Sequence, residues 1–298
     1  MNENHAKLYQ VLRRSYRVPP PAPIAQEVIT GEPILPPELE REIFELAAAI
    51  PNYWTNQHVG DMALILPQVC RRAQSWIEPL IYERIALSKP TMDNYNFERR
   101  LQLFLQTINT RPANFFAANV KYLYFGPSVQ LPIIQHVLSV CTGVVSVGCH
   151  HPYDSIADSL APLPLQRLLL SQLMLPIELP PWTASLTHLG LSDTVPNNHP
   201  QIFRTFPALT HFAVDFETVK LDSLIRTIQS LLIAGPHLQC LVLTANRADS
   251  RRISQRLFQE KFRDTRFSLF GLMSIESGWY RGRRVGDLFE EAEAHLKV

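Results

Sequence analysis

Glycine is scarce in this chain, 11 of 298 residues, and no glycine-rich phosphate loop is present. There are only four cysteines, Cys70, Cys141, Cys149 and Cys240. They form no CxxC pair and no dense framework, so the reading is reduced intracellular thiols and not a disulfide scaffold. No hydrophobic run reaches the length of a membrane span. The first ten residues, MNENHAKLYQ, lack the apolar stretch of a secretory signal. A cytoplasmic or nuclear protein with no membrane contact is the expectation. Neither sign of charge dominates: the net charge is +1, so no global field points to nucleic acid or membrane. A nucleophile elbow and an HExxH motif are also missing, and no enzymatic activity and no cofactor are expected.

What is present in quantity is apolar residues, 46% against 18% charged, a globular balance. Proline is abundant, 24 residues, and suits many short connections that stop helices and strands. The stretch 18–37, VPPPAPIAQEVITGEPILPP, reads as an extended tether.

One hydrophobic phrase recurs from residue 120 onward. It reads apolar-x-x-apolar-x-apolar and is clearest at Leu186, Leu189 and Leu191. It fits Val120/Leu123/Phe125, Leu165/Leu168/Leu170, Leu209/Phe212/Val214 and Leu238/Leu241/Leu243, with weaker copies at Thr142/Val145/Val147 and Phe267/Phe270/Leu272. The middle residues are 22, 23, 21, 23, 29 and 29 residues apart. That is the leucine-rich-repeat period of roughly 20–29 residues per strand-plus-helix unit. Helical segments at 95–109, 131–140, 198–206, 219–234 and 251–263 precede strand phrases. Between 147 and 186 the units suit turns or 3₁₀ pieces. The fold expected is α/β: a short N-terminal helical domain, then a degenerate leucine-rich-repeat-like solenoid of about seven short parallel strands. The domain bounds read as 1–33 for the tether, 34–88 for the helical domain and 89–298 for the solenoid. The amphipathic close, VGDLFEEAEAHLKV, is expected to cap the open end of the stack. The asparagine that usually follows such strands falls only at Asn246; Ser128, Leu173, Thr194 and Glu217 hold the other places.

The helical block has its own pattern. LPPELEREIFELAAAI puts Leu39, Ile43, Phe44 and Leu46/Ala47 on one stripe. A second apolar stretch runs through Leu64, Val69, Ala73, Trp76 and Ile77, and Pro67 and Pro79 are expected to break it into two or three helices. The order Leu35-Pro36, Glu38-Leu39, Ile43-Phe44, then Val69-Cys70-Arg71-Arg72, Trp76 and Leu80 resembles an F-box. With the repeats behind it and the phrase WIEPLIY at 76–82, the chain is similar to fungal F-box-like proteins with a C-terminal leucine-rich-repeat-like domain. The resemblance implies docking on a Skp-type adaptor protein of a cullin–RING ubiquitin ligase, with the repeats selecting a protein substrate. It assigns Leu35, Pro36, Leu39, Ile43, Val69, Cys70 and Trp76 to the adaptor contact. The segment PNYWTNQHVGD, Pro51 to Asp61, departs from the family pattern as an inserted loop. The alternative is a non-catalytic interaction solenoid with no ligase role, in which the helical block is only an N-terminal cap.

Strand alternation turns Leu189 and Leu191 inward and sends His188, Gly190 and Ser192 to the concave side. That side is expected to carry Tyr122, Tyr124, Arg167, His188, His211, Asp215 and Met273, together with Leu169, Val242 and Leu269, as a substrate-binding surface. His188, His211 and Cys240 stand in line on consecutive strands, and the cluster Cys149-His150-His151 with Asp154 is the densest group of potential ligands. Adjacent Cys-His-His cannot readily supply three donors to one zinc, so no metal site is expected. Residues 247–284 carry ten Arg/Lys against four Asp/Glu. That bias reads as a solvated helix face with locally paired arginines, and the alternative is an acidic or phosphorylated ligand near Arg281, Arg283 and Arg284.

Overall fold

Eight short parallel strands, hydrogen-bonded in the order in which they occur in the chain, form one sheet in the computed structural model. The structure describes residues 35–49, 61–88, 94–173, 180–192, 199–215, 221–271, 275, 279 and 288–296. Residues 1–40 and 41–298 are two compact units, and of the first only residues 35–40 are described. The Pro-rich stretch to 33, the inserted loop at 51–60, Met273, and Arg281, Arg283 and Arg284 lie outside the described residues.

The elements are α1 (Pro37–Ala49), α2 (Asp61–Ile65), α3 (Arg71–Glu83), β1 (Arg84–Leu87), α4 (Asn94–Thr110), α5 (Ala113–Asn119), β2 (Tyr122–Phe125), α6 (Leu131–Val140), β3 (Ser146–Cys149), α7 (Tyr153–Leu160) and β4 (Arg167–Leu170). They continue as β5 (His188–Leu191), α8 (His199–Thr205), β6 (His211–Asp215), α9 (Leu221–Ala234), β7 (Cys240–Ala245), α10 (Arg247–Gln259), β8 (Phe267–Gly271) and α11 (Leu288–Leu296). Short 3₁₀ turns stand at Leu66–Gln68 and Pro181–Ala184.

Strictly sequential parallel pairing is the topology of a solenoid, because each crossover returns the chain one strand further along. The phrase explains the register. Leu123, Val147, Leu168, Leu189, Phe212 and Leu241 are aligned across six strands. They and the residues two further on enter one continuous core with α4 to α10. The two weak copies are corrected by this register. The β3 unit centres on Val147, giving Val144/Val147/Cys149, and in β8 the aligned residue is Phe267 rather than Phe270. Among the described residues the sheet has eight strands: Ile85 of β1 pairs with Leu123, so Tyr82/Ile85/Leu87 is a further copy of the phrase. β1 follows α3 directly, so the expected domain boundary at 88 falls between two paired strands.

Local chemistry accounts for the ends. Asn246 caps α10, its Oδ1 accepting from the N–H groups of Ala248 and Asp249 at 3.0 and 2.9 Å. It serves a helix start, not a repeat-wide asparagine ladder. α10 ends in a Schellman turn, with the Phe262 N–H donating to the Leu257 carbonyl and Lys261 at φ 52°, a conformation that favours glycine. Pro67 lies in the 3₁₀ turn between α2 and α3, as expected. Pro79 sits inside α3 without ending it, and the price is one intrahelical hydrogen bond.

A buried-edge ion pair ties α3 to the turn after α4. Both Arg111 Nη atoms donate to the Glu78 carboxylate, Nη1 to Oε2 at 2.9 Å. The Arg111 hydrogen bond holds Glu78 below the ordinary carboxylate value of 4.5, against desolvation that raises it. A carboxylate depressed in the folded state contributes stability that is complete above its unfolded value and is lost as pH falls through the lowered folded one. Arg111→Gln is therefore expected to cost about 1–3 kcal/mol at pH 7. The deficit should shrink at pH 3, and urea unfolding at the two pH values measures it.

Candidate functional site

The helical block builds a small core of its own. Ala48, Ala63, Leu66 and Ile77 are buried, with Phe44, Trp76 and Leu80 packed against them. Phe44 and Ala48, four apart on α1, face this core, and the Phe44 and Trp76 rings are 6.0 Å apart. The other stripe of α1 is left outside: Ile43 is 53% exposed and Leu46 63%. The following segment repeats the arrangement. Ala63 and Leu66 are inside, while Met62, Leu64, Ile65 and Val69 are exposed, Val69 to 62%. Single exposed apolar residues are ordinary, but six within one small block form a concentration that needs a reason.

Cys70 is exposed and caps α3, its Sγ accepting from the Ala73 N–H at 3.4 Å. Trp76 is half-buried, with the Arg72 guanidinium 5.5 Å from its ring centre. In their own unit, Leu35, Pro36 and Leu39 are exposed.

The second surface is the sheet face opposite α4 to α10. Strand register sets the side chains there in two rows. One row runs Arg84, Tyr122, Ser146, Arg167, His188, His211, Cys240. The other runs through Tyr124, Gly148, Leu169, Gly190, Ala213 and Val242. The sequence places Tyr122, Tyr124, Arg167, Leu169, His188, Gly190, His211, Cys240 and Val242 on this face, and the register agrees. The expectation of an open face fails over its centre, however. Ile275, Trp279, Leu288, Phe289 and Ala292 form a second core with Tyr124, Leu169, Ala213, Cys240 and Val242. The closing helix α11 thus lies on the sheet face and does not cap the end of the stack.

The fit is specific. A Cβ at Gly148 would stand 3.2 Å from Trp279 Cδ1, and one at Gly190 3.1 Å from Trp279 Cζ3. The two glycines leave room for the indole. The Arg167 guanidinium lies 5.4 Å from the Trp279 ring centre and 5.9 Å from that of Phe289. His188 and His211 stack at 4.1 Å with planes 7° apart, and the Phe289 ring stands edge-on to both. His211 Nε2 meets Glu293 Oε1 of α11 at 2.8 Å. Both Asp215 carboxylate oxygens accept from the Ile275 N–H at 3.0 Å, and Thr244 donates to the same carboxylate.

Apart from Met273, which lies outside the described residues, each substrate-contact expectation has a definite place. Tyr124 and His211 are buried, and Arg167, His188 and Asp215 engage the C-terminal segment. Tyr122 is half-buried beneath the Arg84 guanidinium, 4.0 Å from its ring centre. Leu169 and Val242 are buried, and Leu269 is half-buried against the helix-side core. The cover itself, Trp279, Phe289 and Glu293, was not read from the sequence as part of this face. Its signal is the small residues Gly148, Gly190 and Ala213 at outward strand positions, which leave space for large rings.

Two thiols of the sheet are buried. Burial pushes the Cys240 thiol up to about 12, with Glu293 adding to the effect, and the Cys149 thiol up to about 11. A thiolate nucleophile is disfavoured at both. The Cys149-His150-His151 cluster is tied into its own turn: Cys149 Sγ accepts from the His151 N–H, and His151 Nε2 meets the Val129 carbonyl at 2.9 Å. Among the described residues no group of three or more His, Cys, Asp or Glu is placed to hold a metal ion, and no helix is long and apolar enough to cross a membrane. No family model matches the sequence, and no curated protein matches it.

Proposed function

We propose that the chain is a non-catalytic recognition adaptor. Its helical block docks on a Skp-type adaptor of a cullin–RING ubiquitin ligase, and its solenoid selects a protein substrate. The observation that carries this reading is the unpartnered apolar surface of the block. Ile43, Leu46, Leu64, Ile65 and Val69 face outward although the block has a core of its own. A block serving only as a cap would turn such residues toward the repeats. Apolar anchors at helical spacing are what a helix-in-groove contact uses. The motif order from Leu35 to Trp76 supplies the identity of the partner.

The test is a pull-down of the full-length chain with the Skp-type adaptor. The variants are Ile43→Asp and Val69→Asp, whose side chains are exposed and add little to folding. Each is expected to weaken capture at least tenfold with an unchanged melting temperature. Absence of capture by the unaltered chain rejects the ligase role.

A second reading, the block as the N-terminal cap of an interaction solenoid without ligase role, is favoured by a different observation. α3 runs into β1 and is clamped to the next unit by Glu78 and Arg111. That reading predicts no adaptor capture by the unaltered chain.

A further inference from the structure

The two most exposed large apolar residues described are Ile233, 81%, and Phe258, 86%. They occupy equivalent places on consecutive helices. Ile228 and Leu232 of α9 are buried, as are Ile253 and Leu257 of α10, at one common offset in sequence. The same offset relates Ile233 to Phe258 and the exposed Arg226 to the exposed Arg251. Each helix therefore presents an arginine and an apolar residue seven apart, two turns along one face. α9 and α10 are packed neighbours, so the two pairs stand side by side at the usual helix spacing of roughly 8–10 Å.

The face continues into a groove. A cavity of about 440 Å³ opens between Phe203, Phe206, Pro207 and Leu209 on one side and Ile233 and Gly235 on the other. Arg204 and His237 also line it. The charge is one-sided. Arg204, Arg226 and Arg251 have no ion-pair partner among the described residues, whereas Asp249 and Glu260 of α10 are engaged by Arg252 and Arg256.

We propose that this face of α9 and α10 binds an acidic amphipathic segment of a partner protein. Its apolar side chains rest on Ile233 and Phe258 and enter the groove at Phe203. Its carboxylates meet Arg204, Arg226 and Arg251. In a helical ligand, apolar residues seven apart are about 10 Å apart, the order of the usual spacing between packed helices. A groove with an aromatic floor takes a protruding side chain, which an anionic membrane surface does not offer. The proposal deepens the reading of the solenoid as the partner-selecting part and rests on it. It does not need adaptor docking, so the pull-down and the experiment below fail separately.

The experiment is a fluorescence-anisotropy titration of the full-length chain. The probe is a labelled helical peptide with Leu and Phe at every third or fourth position and Glu elsewhere. The controls are the same peptide with Lys for Glu, and vesicles containing phosphatidylserine. The Glu peptide is expected to bind, and the Lys peptide at least tenfold more weakly. Ile233→Ser with Phe258→Ser, and separately Arg226→Glu with Arg251→Glu, should each weaken binding at least tenfold. These residues are exposed, and an unchanged melting curve verifies that the fold is intact. Equal binding of the two peptides, indifference to both double changes, no binding of the Glu peptide, or binding of vesicles alone overturns the proposal.

Discussion

Phe289→Ala is expected to release the C-terminal helix from the sheet, at a cost of about 3–5 kcal/mol, the range for truncating a buried phenylalanine. Phe289 is 2% exposed and sits where four groups meet. Its ring is edge-on to His188 at 5.0 Å, to His211 at 5.4 Å and to Trp279 at 5.8 Å, with Arg167 at 5.9 Å. Truncation removes the wedge and leaves a cavity lined by two imidazoles and a guanidinium, which water can enter. The His211–Glu293 contact then lacks its apolar shield and counts for no more than a surface pair. Because α11 packs in the smaller second core and not in the main one, the loss should appear first as local opening. Amide exchange in 288–296 is expected to accelerate by two orders of magnitude or more, while β4 to β6 keep much of their protection. Unchanged exchange in 288–296 would falsify the assignment of Phe289 as the anchor.

Gly143→Ala is expected to cost about 3 kcal/mol, the upper end of overpacking. Gly143 lies in the turn between α6 and β3, and a Cβ there would stand 1.9 Å from the Ala117 carbonyl oxygen of α5. A side chain can rotate away, but a helix carbonyl cannot move without its helix. α5 is fixed by Phe116, which is fully buried among Tyr82, Phe104 and Phe115. The strain therefore spreads into the packing between neighbouring units. Gly271→Ala is the matched control: its nearest neighbour, Ser250 Oγ, is 3.4 Å away, and the residue is exposed. Urea midpoints of the two variants should differ clearly. Equal midpoints would mean that the turn yields at little cost.

The outcome for particular residues shows where sequence reading works and where it stops. Leu168, Leu189 and Phe212 were placed correctly because the phrase repeats on the scale of one repeat unit, and burial enforces its period. Val145 and Phe270 are off the true register because Val144/Val147/Cys149 and Asp264/Phe267/Leu269 depart from strong apolar residues, and a better local match lies nearby. Ile85 is not legible as a strand residue because its strand is joined to a helix that matches another pattern. In the helical block, the stripe read as one is divided: Phe44 turns inward and Ile43 outward. Periodicity reports a face but not which part of it meets a neighbour.

The sequence alone determined the repeat, its strand-plus-helix unit and the inward residues of the strands, because these follow from local alternation and a fixed period. It also placed Tyr122, Arg167, His188 and His211 on one face. Tertiary structure decided what lies on that face. Trp279 and Phe289 reach it from a segment distant in sequence, and their seat is made by Gly148 and Gly190 on two different strands. No local pattern encodes that match, because shape complementarity between segments far apart in the chain exists only once the sheet has brought the glycines within reach of one ring. The basic, apolar face of α9 and α10 stands between the two cases. Its residues were in the sequence, but only helix packing sets Ile233 beside Phe258.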